Sequence, residues 1–170
     1  MNIPTLHTER LTLRPLALSD FETLAAFYES DRSRYVGGPK RPDETWRTLA
    51  SEIGHWTLRG YGRFGVDETA TGKFVGMVGP WFPHAWPEQE LGWDLMNGFE
   101  GRGFAIEAGL ATRDFAYKTL GWNTAISLVA EGNEGSAKVA ERMGATWERK
   151  LDHPMFGMMN VYRHLNAEAV

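Results

Sequence analysis

Cysteine is absent from this chain of 170 residues. That absence removes disulfide frameworks, thiolate metal sites and any cysteine acyl-enzyme together, leaving oxygen, nitrogen and backbone groups for whatever chemistry takes place. An excess of positive charge is missing too. Lys and Arg number 18 against 22 Asp and Glu, a formal net charge of -4, and nucleic acid, which calls for a basic face, is disfavoured as a partner. No window approaches the roughly 18 uninterrupted apolar residues of a membrane span, and MNIPTLHTERLTLRP lacks the basic start and apolar stretch of a signal peptide. A soluble, cytoplasmic protein with no membrane partner is expected. The five His are scattered, with no H-E-x-x-H and no paired Cys, so no metal site is predicted. Internal repeats, low-complexity tracts and linkers are also lacking. What is present is enough apolar content, 42% of residues, to fill one core, and a single domain over 1–170 is predicted.

Along the chain, Leu11, Leu13 and Pro15 suggest a short opening strand, and Ser19-Asp20-Phe21-Glu22 has the spacing of a capping box that starts a helix running through Tyr28. Gly37-Gly38-Pro39 breaks the pattern before a second helical run from Pro42 to Leu58, ended by Gly60. Arg63 to Glu68, Lys73 to Trp81 and Glu88 to Met96 read as an antiparallel meander. A helix from Gly103 to Thr119, a strand from Thr124 to Ala130, a helix from Glu134 to Met143 and strands at Ala145 to Leu151 and Gly157 to Leu165 follow. The predicted class is α/β with a mixed sheet.

The segment Asn97-Gly98-Phe99-Glu100-Gly101-Arg102-Gly103-Phe104-Ala105 carries most of the chemical information. It lies between a strand and a helix. Glycines at 101 and 103 let backbone approach a ligand, and the unpaired N–H groups of a helix's first turn attract anions such as a pyrophosphate. A P-loop would need Lys and then Ser or Thr after its last glycine, where Phe104 and Ala105 stand. A dinucleotide fingerprint would need Gly or Ala at 106, where Ile stands. An ordinary glycine turn capping a helix explains the segment equally well when it is read alone.

Four stretches in order resemble the GNAT superfamily, and within it the branch of ribosomal-protein N-terminal acetyltransferases. Thr8 to Pro15 resembles that branch's opening strand and Phe74 to Gly79 its central hairpin strand. Gly101-Arg102-Gly103-Phe104-Ala105-Ile106-Glu107-Ala108 resembles its pyrophosphate loop and helix, and Asn133-Glu134-Gly135-Ser136, leading to Arg142-Met143-Gly144-Ala145, its late Asn-x-x-Ser helix. The resemblance implies a mostly antiparallel sheet with a splayed pair of parallel strands, flanked by helices, and acetyl-CoA as co-substrate with no metal. It also implies an acetyl group transferred to a primary amine, on a protein N-terminus or a small molecule, by direct attack on the thioester.

Site residues follow from the same resemblance. The cradle from Gly101 to Ala105, including Phe104, would hold the pyrophosphate, with Arg102 as a side-chain contact. Glu100 stands where the family places Gln or Arg, and a carboxylate there is expected to point away from phosphate. Leu95 and Met96 would pair with the pantetheine arm through their backbone and polarise the thioester carbonyl. Asn133 would meet the pantetheine amide and Ser136 the thioester sulfur, although helix capping alone also accounts for the pair. Many superfamily members carry a Tyr seven residues after that Asn as proton donor. Here the position is Ala140, which leaves Ser136 as the donor.

Glu90 is the candidate base because Glu90-Leu91-Gly92-Trp93 resembles the branch's Glu-Ile-Gly-Tyr on the strand leading to the cofactor, with Asp94 two residues on as the alternative on the same face. The aromatic loop Trp81 to Pro87 is expected to border the acceptor pocket, with His84 a weaker candidate for proton removal. A non-catalytic sensor that kept the cofactor cradle is the alternative, left open by Glu100 and Ala140. The acceptor is not encoded legibly in the variable segments from Asp31 to Gly62 and Phe82 to Pro87. A homodimer is the ordinary expectation for a small enzyme.

Overall fold

Apolar residues alternate along the opening strands, and in the computed structural model, which describes residues 3–170, they point into one core. The first two residues of the predicted 1–170 domain lie outside the described residues. Strands β1 (Leu6–His7), β2 (Leu11–Arg14), β3 (Phe64–Glu68), β4 (Lys73–Trp81), β5 (Glu90–Leu95), β6 (Ile126–Ala130), β7 (Thr146–His153) and β8 (Gly157–Arg163) form one sheet. Its order is β1-β2-β3-β4-β5-β6-β8-β7. Helices α1 (Phe21–Glu29), α2 (Pro42–Arg59), α3 (Phe104–Lys118) and α4 (Glu134–Arg142) flank it. The architecture is the mixed α/β fold expected from the resemblance.

Leu11, Leu13, Val66, Val75 and Val78 pack with Phe104, Ala108 and Phe115 of α3. Met77, adjacent to Val78 and so on the other side of the strand, packs with Leu24, Phe27 and Tyr28 of α1 and Leu49 of α2. Every neighbouring pair in the sheet is antiparallel except β5 and β6, which run parallel and are joined where Glu90 faces Ile126. Beyond that point no ladder joins them. The sheet therefore opens into a seam between β5 and β6, as expected for a splayed pair.

Three local details differ from the sequence reading. The capping box expected from Ser19 to Glu22 is replaced by a 3-10 turn at Leu18–Asp20, in which the Asp20 carboxylate accepts from the Ala17 N–H at 2.9 Å. Asp20 is buried, and a buried carboxylate requires partners. Arg14 supplies them through two hydrogen bonds at 2.8 and 2.9 Å while also gripping Asp67 of β3, which raises the guanidinium pKa further. The two-residue strand β1 and a second 3-10 turn at Asp31–Tyr35 were not anticipated from the sequence.

Candidate active site

Glu90 sits at the last paired position before the strands part. Its carboxylate crosses the seam to accept from the Leu128 N–H at 3.1 Å, a donor that the separated strand would otherwise leave orphaned, and from the Trp86 indole N–H at 2.5 Å. Burial is nevertheless the stronger influence. The carboxyl is pushed up to about 7, against the pull of these two hydrogen bonds and of the Arg63 charge. A carboxyl that exchanges its proton near neutrality is suited to general-base work.

Asp94 shares the cavity with Glu90 but has a different electrical environment. Arg63, almost fully buried, forms an ion pair with Asp94 at 2.9 Å and a bidentate pair with Glu52 of α2. Two carboxylates around one guanidinium hold that guanidinium strongly protonated. Asp94 is thus committed to a salt bridge, and of the two candidate bases Glu90 is the one free of a cationic partner. Gly92 lies between them in sequence, and an added Cβ there would make ordinary contact with the Arg63 side chain at 3.8 Å and the Glu90 carboxyl carbon at 3.9 Å.

These groups line a cavity of about 410 Å³ walled by Trp81, Trp86, Phe156 and Met159, and the predicted aromatic loop contributes Trp81, Pro83, His84 and Trp86 to it. A second cleft of about 330 Å³ runs between the turn before α3 and the start of α4. Trp93, Asp94, Asn133 and Ser136 line both, so the two spaces meet at the seam. In the cleft, Gly101 and Gly103 both adopt left-handed backbone, at φ 75° and 80°, a conformation that side-chain-bearing residues rarely adopt. Helix α3 starts at Phe104, and the N–H groups of its first turn, at Ala105 and Ile106, border the cleft without intrahelical acceptors.

At the other wall the Asn133 side chain accepts from the Ser136 N–H at 3.2 Å, the N-cap that sequence alone allowed. The cap leaves the Asn133 amide N–H groups uncommitted. The Ser136 hydroxyl accepts from the Trp93 indole at 2.8 Å, and this orients its own proton away from Trp93, where it is available to the cleft. Ala140, seven residues after Asn133, is fully buried against Val129, Ala145 and Tyr162 and faces the core.

The side chains of Arg102, Phe104 and Met96 lie off the cleft, whereas Glu100, expected to point away, lies on it. Arg102 is not at the cleft: it pairs with Glu68 and lies 4.5 Å over the Phe104 ring. The Phe104 side chain packs in the core, 1% exposed, so its part in the expected cradle is confined to its backbone. Met96 is fully buried, and both its backbone groups are engaged, the N–H with the Val75 carbonyl and the carbonyl with the Phe99 N–H. Glu100 does not point away. It lines the cleft, where Arg32 at 3.4 Å and the Gly98 N–H at 2.9 Å offset its charge. Leu95 does border the cleft, and its carbonyl accepts from Arg32 at 3.1 Å.

Residues 10–146 match the family model described as the acetyltransferase (GNAT) domain. The chain belongs to this family of acetyltransferases. A curated relative from Bacillus licheniformis, the N-acetyltransferase p20, is 29% identical over 79% of the chain and 78% of its own length. An acetyltransferase from Agrobacterium tumefaciens has the same fold at a TM-score of 0.88, with 43% identity over 96% of this chain and 95% of its own. RimL, a ribosomal L7/L12 alpha-N-protein acetyltransferase solved with coenzyme A, shares the fold at a TM-score of 0.75 and 17% identity, covering 93% of this chain and 95% of its own. Members of the family use acetyl-CoA.

Arg32, Lys40, Glu52 and Arg63 all line these spaces and none was anticipated from the sequence. They lie in or beside the stretch from Asp31 to Gly62, Arg32 and Lys40 before α2, Glu52 on it and Arg63 just ahead of β3, and no shared local motif connects them. Among the described residues no cluster of His, Asp or Glu could hold a metal ion, and no helix is long and apolar enough to cross a membrane.

Proposed function

We propose that this acetyltransferase carries an acetyl group from acetyl-CoA to a primary amine by direct attack, with Glu90 as base and Ser136 as proton donor. The observation that carries the reading is a buried carboxyl, pushed up to about 7, on the wall of the cavity that meets the cofactor cleft at Trp93, Asp94, Asn133 and Ser136. The cleft fits coenzyme A by its own chemistry. Backbone N–H groups at Gly101, Gly103 and Ala105 present donors for a diphosphate, and Arg32, Lys138 and Arg142 add positive charge along the same walls.

When bound, the coenzyme supplies the thioester whose acyl carbon is attacked. Asn133 offers its amide N–H groups to the arm, and Leu95 offers its strand edge once Arg32 releases the Leu95 carbonyl. That guanidinium is then available to a phosphate oxygen. Glu90 accepts the proton of the attacking nitrogen, directly or through one water, Ser136 gives its hydroxyl proton to the departing sulfur, and the proton held by Glu90 then restores the Ser136 hydroxyl through water in the shared cavity, so that amine and thioester become amide and free thiol. Trp86 and Leu128 hold Glu90 in place, and Trp93 holds Ser136.

The test is release of free coenzyme A thiol from acetyl-CoA across a panel of primary amines, compared with Glu90→Gln. Turnover with at least one amine, lowered about 100-fold or more in the variant, is expected. A wild-type protein that binds acetyl-CoA tightly yet releases no thiol with any amine would be a sensor, and the reading would be abandoned.

A further inference from the structure

We infer that the acceptor amine carries its own carboxylate on an apolar frame, and that Lys40 is that carboxylate's counter-ion. The inference rests on the acetyl-transfer reading for the identity of the reacting group. What it adds is the other end of the acceptor.

Of the charges on the acceptor cavity, nearly all are already matched. Glu52 and Asp94 are both committed to Arg63, and Glu90 accepts from Trp86 and Leu128. Arg47 is solvent-facing at 78% side-chain exposure, beside Asp43. Lys40 is the exception. Its ammonium is half-buried on the cavity wall, donates to the Thr48 hydroxyl at 2.9 Å and lies 4.2 Å from the Tyr28 ring centre, with no carboxylate within ion-pair distance among the described residues. Burial lowers its pKa, the mark of a cation short of compensation.

The backbone fixes this placement. The Lys40 N–H donates to the Tyr28 carbonyl at 2.8 Å, and Ser33 ties the preceding turn to the same carbonyl while accepting the Gly38 N–H. Thr48 stands in the second turn of α2 with its hydroxyl on the same ammonium. A half-buried cation without a counter-charge is costly, and a ligand carboxylate would offset that cost with a charge-assisted hydrogen bond. The same cation repels polyamines and aminoglycosides, for which this cavity holds no free carboxylate except the base itself. Trp81, Trp86, Phe156 and Met159 provide the apolar walls between the two ends.

The test compares phenylalanine, leucine and methionine with their carboxamides and their decarboxylated amines as acceptors. In parallel, the N-acetylated acids and N-acetylated carboxamides are titrated into the protein saturated with coenzyme A. The acids are expected to exceed the other forms by about tenfold or more in kcat/KM, and the acetylated acids to bind more tightly by a similar factor. Lys40→Gln should bring the acid-to-amide ratio close to one, Lys40→Arg should keep part of it, and Thr48→Val should reduce it in a protein that keeps its cation. Amines acetylated without regard to the carboxylate, or a preference that survives Lys40→Gln, would overturn the inference while leaving acetyl transfer intact. A peptide N-terminus preferred over every acid would do the same. Lys40-dependent binding of acetylated acids without any turnover would instead uphold the inference and defeat the transfer reading. Neither binding nor turnover would sink both.

Discussion

Glu90 has two roles that pull in opposite directions. As a hydrogen-bond acceptor for Leu128 and Trp86 it would be best ionised, yet its burial holds the proton on up to about pH 7. As the proposed base it must be deprotonated, so kcat/KM is expected to rise with pH through about 7 and to level off above. Glu90→Gln should remove that limb and lower kcat by about 100-fold to 10,000-fold. A limb that persists in the variant would assign the base elsewhere. The same shift acts on stability with the reverse sign. Folding raises this carboxyl from its ordinary 4.5, so its contribution is fully present below 4.5 and is lost as pH rises through about 7. Thermal melts at pH 5 and pH 8 should therefore differ less in Glu90→Gln than in the parent protein. Ser136→Ala should lower kcat about 100-fold while leaving the Asn133 cap intact, because the cap uses the backbone N–H of residue 136 and not its hydroxyl. Glu90 and Ser136 were legible in the sequence because each stands at a fixed offset within a strand or helix motif. Lys40 and Arg63 were not, since their positions follow from how a loop and a strand edge fold over a cavity three-dimensionally.

At the scale of elements, two stretches that the sequence presented as separate motifs turn out to form one mechanical unit. Glu107 in the first turn of α3 accepts from the Thr8 hydroxyl at 2.6 Å, the Arg10 N–H at 2.8 Å and the Arg10 guanidinium at 2.7 Å, and Arg10 also donates to the Arg102 carbonyl at 3.0 Å. The opening segment thus braces the glycine turn from outside while the inner side is left to a ligand. Arg102, whose place in the motif suggested a phosphate contact, is drawn off by Glu68 and the Phe104 ring, a pairing between residues 34 positions apart that no local pattern reveals. Among the cations that do reach the cleft, with Lys138 and Arg142 of α4, is Arg32, from a 3-10 turn that sequence periodicity could not mark. Arg32→Met is therefore expected to raise KM for acetyl-CoA about tenfold with little effect on kcat, whereas Arg102→Met should leave that KM near its parent value. Equal effects of the two would refute the assignment of roles. Strand and helix positions were otherwise legible because hydrophobic period and glycine stops are local signals. β4 matched at both ends, Lys73 to Trp81, and Gly60, in the left-handed conformation, ends α2 as its position after the helical run suggested.

For the molecule as a whole, the seam is the feature with the largest consequence. One half of the sheet, β1 to β5, carries α1, α2 and α3, and the other half, β6 to β8, carries α4. Between them the sheet's own hydrogen bonding is confined to the neighbourhood of Glu90 and Ile126, reinforced by the Ser127 hydroxyl on the Leu91 carbonyl at 2.6 Å and the Glu90 carboxylate on Leu128. Such an arrangement is locally weak at the one place where the cleft walls face each other, Gly101 to Ala105 on one side and Asn133 to Ser136 on the other. A ligand gripping both walls adds cross-links that the fold itself omits. Coenzyme A at about 100 times its Kd should stabilise the protein by about 2.7 kcal/mol, roughly 5–10 °C in Tm for a chain of this length. The gain should be distributed unevenly, with slowed amide exchange concentrated in β6 and α4 and along the turn before α3, because these are the elements that the seam leaves least constrained. Uniform protection over the whole sheet would mean that the coenzyme stabilises one rigid body by mass action alone. Protection confined to α3 would mean that the far wall, with Asn133 and Ser136, takes no part in holding it.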